Sequence, residues 1–156
     1  MASRIELSLW IAAPAARVFD LARDIDAHVA STPGTEERPV ARDRGKTSGL
    51  MELGDQVTWR ARHLGVTQEL TSRITAFDRP RHFRDSMVRG AFARFDHDHF
   101  FDALGPASTL MRDVFDFTSP LRLLGSLVDA IFLERYMRRL LETRGRVLKE
   151  LAEREE

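Results

Sequence analysis

The stretch AFARFDHDHFFDALGPASTLMRDVFDFTSP, residues 91–120, decides the fold. Phe95, His97, His99 and Phe101 occupy alternate positions, with Arg94, Asp96 and Asp98 between them. Successive side chains of a strand point to opposite faces, so this spacing predicts a strand over 91–101 with its Phe and His face turned inward. Beyond Gly105 and Pro106, the residues Thr109, Met111, Asp113, Phe115 and Phe117 share one face of a second strand over 108–117, which closes a hairpin. Thr118, Ser119 and Pro120 then end the β pattern, with Ser119 suited to cap a helix and Pro120 to its first turn.

The C-terminal segment is helical in period. Leu124, Leu127, Val128, Ile131, Phe132, Tyr136, Leu140, Leu141, Val147, Leu148 and Leu151 draw one apolar stripe. Unbroken from Pro120 to Ala152, this helix would be about 50 Å long, with Gly125 and Gly145 as its weak points.

Upstream, Ile5, Leu7, Leu9 and Ile11 alternate as a first strand, and Pro14 opens a short helix carrying Val18, Phe19, Ala22 and Ile25. Asp24 and Asp26 mark a break into a second short helix ending near Ser31. Residues 35–54 predict a weak strand and a loop whose Arg and Glu residues are interleaved. Segments 56–64 and 66–77 read as a hairpin turning at Leu64 and Gly65, which sets Trp59 opposite Leu70 and Arg60 opposite Glu69. After a turn at Pro80, His82 to Val88 is a further strand with Phe83 and Met87 on one side. The order predicts an α+β domain spanning 1–156: about seven antiparallel strands curved around a long C-terminal helix, with two short helices after the first strand.

Composition narrows the partners. The chain has 156 residues, 24 Lys plus Arg against 24 Asp plus Glu, and no Cys. Zero net charge gives no field that draws nucleic acid or an anionic membrane, and the lack of Cys removes thiolate chemistry and disulfides. No apolar run approaches the roughly 20 residues that span a bilayer, so a cytoplasmic location is the expectation.

A curved sheet covered by one helix does not readily fill its concave side, and the remaining hollow suits a small hydrophobic molecule. Trp59, Leu70, Phe83, Met87, Phe95, Met111, Phe115 and Phe132 would wall it, with His63, Asp85, His97, His99, Asp113 and Tyr136 as polar groups. Several stretches resemble bacterial members of the START-like (SRPBCC) superfamily, which includes proteins labelled polyketide cyclase/dehydrase or lipid transport. They are Ile11 to Pro14 with Val18 and Phe19, Gly54 and Asp55 leading into Val57 and Trp59, and Phe95, His97, His99 and Phe100. The likeness continues through Thr109, Asp113, Pro120, Arg135, Tyr136, Leu140, Leu141 and Arg144. It implies a helix-grip fold with a hydrophobic cavity near the long helix.

Three functions stay open. A binding module for a lipid, polyketide or isoprenoid-like molecule is the first. The second is a cyclase or aromatase in which His97 or His99, oriented by Asp113, moves protons on a carbonyl substrate. The third is an interaction domain, with Leu121, Leu123, Leu133 and Met137 lying off the main stripe as a homodimer patch. Two His and a carboxylate, extended by His63 or Asp85, reach the ligand count of a metal site, yet paired His on a strand are common without metal and no cofactor is expected. Arg135, Arg138 and Arg139 are read as solvated or as reaching over the cavity mouth.

Overall fold

The computed structural model describes residues 2–119 and 127–154. In chain order it has β1 (Ala2–Ile11), α1 (Ala15–Ala22), α2 (Ile25–Ala30), β2 (Arg38–Val40), β3 (Gln56–His63), β4 (Val66–Asp78), β5 (His82–Arg89), β6 (Arg94–Gly105), β7 (Ser108–Thr118) and α3 (Leu127–Glu153). The strands form one antiparallel sheet in the order β1-β7-β6-β5-β4-β3-β2, so the first strand closes against the last. Pro120, Leu121, Leu123, Leu124 and Gly125 lie outside the described residues.

Local sequence accounts for most boundaries. Pro14 is the N-cap of α1 rather than its first helical residue, and its carbonyl accepts from the Arg17 and Val18 amides. Asp24 caps α2 by accepting from the Asp26 amide. Leu64 and Gly65 both have positive φ, 53° and 78°, as a tight two-residue hairpin turn requires. The expected register follows, with Trp59 facing Leu70 and Arg60 facing Glu69. β6 begins at Arg94, three residues later than the alternation suggested, because 91–93 bend and Phe92 turns inward with its ring edge-on to Phe95, Phe115 and Phe117.

The concave face carries two apolar clusters. One joins Val18, Phe19, Ile25, Val57, Phe83, Phe101, Met111 and Leu148. The other joins Ile5, Phe95, Phe115, Phe117 and Leu141, with Leu133, Met137 and Met87 packed against it. The convex face is lined instead with ion pairs, among them Arg84 with Asp98 at 2.8 Å and Arg94 with Asp116 at 2.8 Å.

α3 is about 40 Å long over its 27 residues and runs on through Gly145 without a break. Its C-terminal end is fastened to the start of the chain. The Arg17 guanidinium donates to the carbonyls of Ala152 at 2.8 Å and Arg154 at 3.1 Å, where a cation also meets the negative end of the helix dipole. The Ala12 amide donates to Glu153 at 2.9 Å. The backbone of α3 approaches α1 and β1. At Gly145 the missing side chain faces Leu9 and Met111, whose nearest atoms would lie 3.7 and 3.8 Å from a Cβ.

Phe19 ties this end together, with ring centroids 5.4 Å from Phe77, 5.3 Å from Phe83 and 5.3 Å from Phe101 in edge-to-face arrangements. It is fully buried. Phe19→Ala should therefore lower the unfolding free energy by about 3–5 kcal/mol. Urea unfolding followed by circular dichroism checks this, and a loss below about 1 kcal/mol would contradict the packing described.

Candidate functional site

Three adjacent strands repeat one inward pattern. β5 reads Phe83, Asp85, Met87; β6 reads Phe95, His97, His99, Phe101; β7 reads Met111, Asp113, Phe115. The register places Asp85 opposite His97 and His99 opposite Asp113, so the polar residues fall into one layer between the two apolar clusters.

The layer satisfies itself. His99 places Nε2 2.8 Å from Asp85 Oδ1 and Nδ1 3.0 Å from Asp113 Oδ1. His97 Nε2 lies 3.1 Å from the same Asp113 oxygen, and the two imidazoles lie 3.8 Å apart, centroid to centroid. Asp113 thus reaches both histidines, where a bond to one was expected. Phe83 stacks on His99 at 4.3 Å.

These contacts set the charges. Burial works to raise the Asp113 carboxyl, but hydrogen bonds from His97 and His99 hold it far below the usual carboxylate range. Asp85 is likewise opposed by burial, yet the His99 hydrogen bond and nearby positive charge bring it down to about 2. Burial depresses His97, and the charge of His99 depresses it further, so it is neutral at pH 7. For His99, burial is outweighed by the hydrogen bonds to Asp113 and Asp85, and its pKa is raised.

Beside this layer lies a cavity of about 370 Å³ between β3–β7 and α3. Eight of the fourteen expected residues line it: Trp59, His63, Leu70, Asp85, Phe95, His97, Phe115 and Tyr136. His63 Nδ1 and Tyr136 Oη pair at 2.7 Å, which takes His63 away from the other histidines. Leu64 and Val66, at the β3–β4 turn, are more than half exposed and form part of the lining.

The other expected residues fall elsewhere. His99, Met111 and Asp113 line a small recess under Gly145, and Phe83 lines another beside α2. Met87 packs against the second apolar cluster. Phe132 is corrected outright: it is 53% exposed and stacks on Tyr136 outside the cavity. The helix is rotated so that Leu133, Tyr136, Met137, Leu140, Leu141 and Arg144 face inward, which makes Leu133 and Met137 cavity wall rather than a dimer patch. The stripe drawn from sequence was too broad, because it admitted Ile131 and Phe132 beside residues on the true inner face.

Several lining residues were not among those expected in the cavity wall, although Arg144 belongs to the stretch that carries the family likeness. Arg144, rather than Arg135, Arg138 or Arg139, is the cation in the cavity wall, and its guanidinium donates to the Ala22 carbonyl at 3.4 Å. One helical turn past Leu140, on the apolar face, was its available clue. His28 stacks on Trp59 at 4.1 Å and meets Glu37 at 2.6 Å. Burial and then Arg144 depress the His28 pKa.

The polar layer predicts acid sensitivity of definite sign. Asp85 and Asp113 have folded-state pKa values below the ordinary aspartate value of 3.8, so their stabilisation is present above that pH and lost as pH falls through the folded values. Unfolding free energy should drop steeply from about pH 4 to pH 2, and Asp113→Asn should flatten this segment of the curve. Urea titrations at stepped pH measure it; an unchanged slope in the variant would remove Asp113 from the account.

Likeness to known proteins agrees with this geometry. No curated protein matches the sequence. Among solved structures, the Zhui aromatase/cyclase from Streptomyces sp. R1128 superposes with a TM-score of 0.77 at 19% identity, covering 99% of this chain and 95% of that one. A protein from Thermus thermophilus gives 0.76 at 19% identity, with 95% of each chain covered. A START superfamily protein from Mycobacterium smegmatis gives 0.69 at 18% identity, covering 96% and 97%. At such identities the likeness establishes a shared helix-grip fold. With residues 11–142 matching its model, the chain belongs to the family described as polyketide cyclase / dehydrase and lipid transport.

Proposed function

We propose that the protein holds a small, largely apolar molecule in the space between the sheet and α3. The observation that carries this is the cavity itself, about 370 Å³, within the range of roughly 300–1,000 Å³ typical of small-molecule sites. Its wall joins Trp59, Leu70, Phe92, Phe95, Phe115 and Leu140 with a few polar groups. Apolar walls supply affinity, and the polar groups fix orientation. Asp85, His97 and Arg144 lie together at one part of the wall, while His63 and Tyr136 form another polar pair. A molecule with an apolar body and one polar end suits this division: a lipid, an aromatic polyketide or an isoprenoid-like compound.

A second reading has one specific observation in its favour. His97 lines the cavity, is neutral, and is held by Asp113 through Nε2, which leaves Nδ1 as a proton acceptor. A base so placed suits removal of a proton next to a substrate carbonyl, as an aromatase or cyclase requires. The Zhui aromatase/cyclase shares the fold at 19% identity.

Ala61 faces the cavity and is buried, so Ala61→Phe should fill space meant for the ligand. It should weaken binding of an apolar fluorescent naphthalene dye by about tenfold or more, equivalent to at least about 1.4 kcal/mol, without lowering Tm. Dye affinity equal to that of the unmodified protein would refute the cavity as the binding site. For the enzymatic reading, His97→Gln should abolish turnover of a poly-β-ketone thioester while leaving dye affinity within about twofold. Unimpaired turnover would eliminate His97 as the base.

A further inference from the structure

One oxygen organises both imidazoles. Asp113 Oδ1 is hydrogen-bonded to His97 Nε2 at 3.1 Å and in ion-pair contact with His99 Nδ1 at 3.0 Å, so one nitrogen of each ring is taken by the same carboxylate. The remaining nitrogens, His97 Nδ1 and His99 Nε2, then face the same atom, Asp85 Oδ1, at 3.9 and 2.8 Å. The second contact is a hydrogen bond. The first is too long for one, so an imidazole nitrogen and a carboxylate oxygen face each other across a gap with no direct hydrogen bond between them. His97 lines the cavity, and its Nδ1 stands beyond direct hydrogen-bond reach of Asp85 Oδ1. Two electron-rich atoms facing across such a gap call for a cation.

The three donor atoms lie within 4.8 Å of one another. Two imidazoles and one carboxylate, each imidazole steadied at its far nitrogen by another carboxylate, is the donor arrangement that divalent transition metals favour. Such an ion would replace the proton shared by His99 and Asp85, and the second carboxylate, Asp113, offsets the added charge beside Arg144. Among the alternatives in the molecule, His28 is already closed by Glu37 at 2.6 Å, and His82 by Asp98 at 2.7 Å on the outer sheet face.

We propose that Asp85 Oδ1, His97 Nδ1 and His99 Nε2 bind one divalent first-row transition-metal ion in the wall of the cavity, with Asp113 as the positioning residue for both imidazoles. Asp85 and His97 line the cavity, so coordination positions not taken by the protein are available to a molecule held there. Ligand binding by the apolar wall stands or falls separately, since the dye probe needs no metal, whereas a metal on His97 Nδ1 excludes that nitrogen as the base of the second reading.

The test uses the full chain, stripped with chelator and titrated with Co²⁺ at neutral pH. One ion per chain should bind with visible d–d absorption, be displaced by Zn²⁺, release protons and raise Tm. Two exchangeable, paramagnetically shifted N–H resonances should appear in the proton spectrum, one from His97 Nε2 and one from His99 Nδ1. Asp85→Asn and His97→Gln should each abolish the bands, Asp113→Asn should weaken affinity about 10–100-fold, and His82→Gln should leave it unchanged. Absence of saturable Co²⁺ binding by the unmodified chain overturns the proposal. So does a spectrum and affinity that survive both Asp85→Asn and His97→Gln, which would mark adventitious binding. Should those two variants fail to fold, the shifted N–H pair in the unmodified protein decides alone, and its absence counts against the site.

Discussion

Two carboxylates and two imidazoles placed on the inward face of a sheet must satisfy one another, because any member left unpaired there would cost several kcal/mol. Asp85, His97, His99 and Asp113 meet this demand across three strands. The consequence reaches beyond the four residues. A one-residue slip of β6 against either neighbour would turn His97 and His99 to the convex face and leave Asp85 and Asp113 unpaired. The polar layer therefore acts as a register lock at the centre of the sheet, with Phe83, Phe101 and Met111 on one side and Phe95 and Phe115 on the other.

The same layer shapes the cavity. α3 is fastened at its C-terminal end by Arg17 and the Ala12 amide, and there its Leu148 and Ala152 join the apolar cluster of Ile11, Val18 and Phe19. Further along, Leu133, Met137, Leu140 and Leu141 face β3–β7 across an open space. A helix held firmly at one end and facing a curved, partly polar surface cannot close onto that surface without burying Asp85 and Arg144 more deeply. Desolvation of those charges opposes collapse, and this is a physical reason for a hollow in a protein with aromatic residues enough to fill one.

Family membership and fold leave the chemistry to individual side chains, since one scaffold serves many activities. Here the informative groups are few. Trp59, Phe95 and Phe115 offer aromatic wall, Arg144 offers a cation, and His97 offers a neutral nitrogen held in place by Asp113. The zero net charge read from composition has a local counterpart: arginines and aspartates pair in rows on the convex face, away from the cavity.

Strand alternation and turn chemistry were legible in the residues alone. Alternation in 94–101 and 108–117 assigned inward and outward faces, the Leu64–Gly65 turn set Trp59 against Leu70, and Asp24 marked the helix break. These depend on backbone geometry within a few residues. The rotation of α3 was not legible, because Leu133 and Phe132 are equally apolar and only contact with the sheet separates an inward 133 from an exposed 132. Nor was the pairing of Asp85 with His99, or of one Asp113 oxygen with two imidazoles, since each needs the lateral order and register of β5, β6 and β7. Tertiary structure decided those, because contacts between residues distant in the chain are fixed by the packing of whole elements rather than by local spacing.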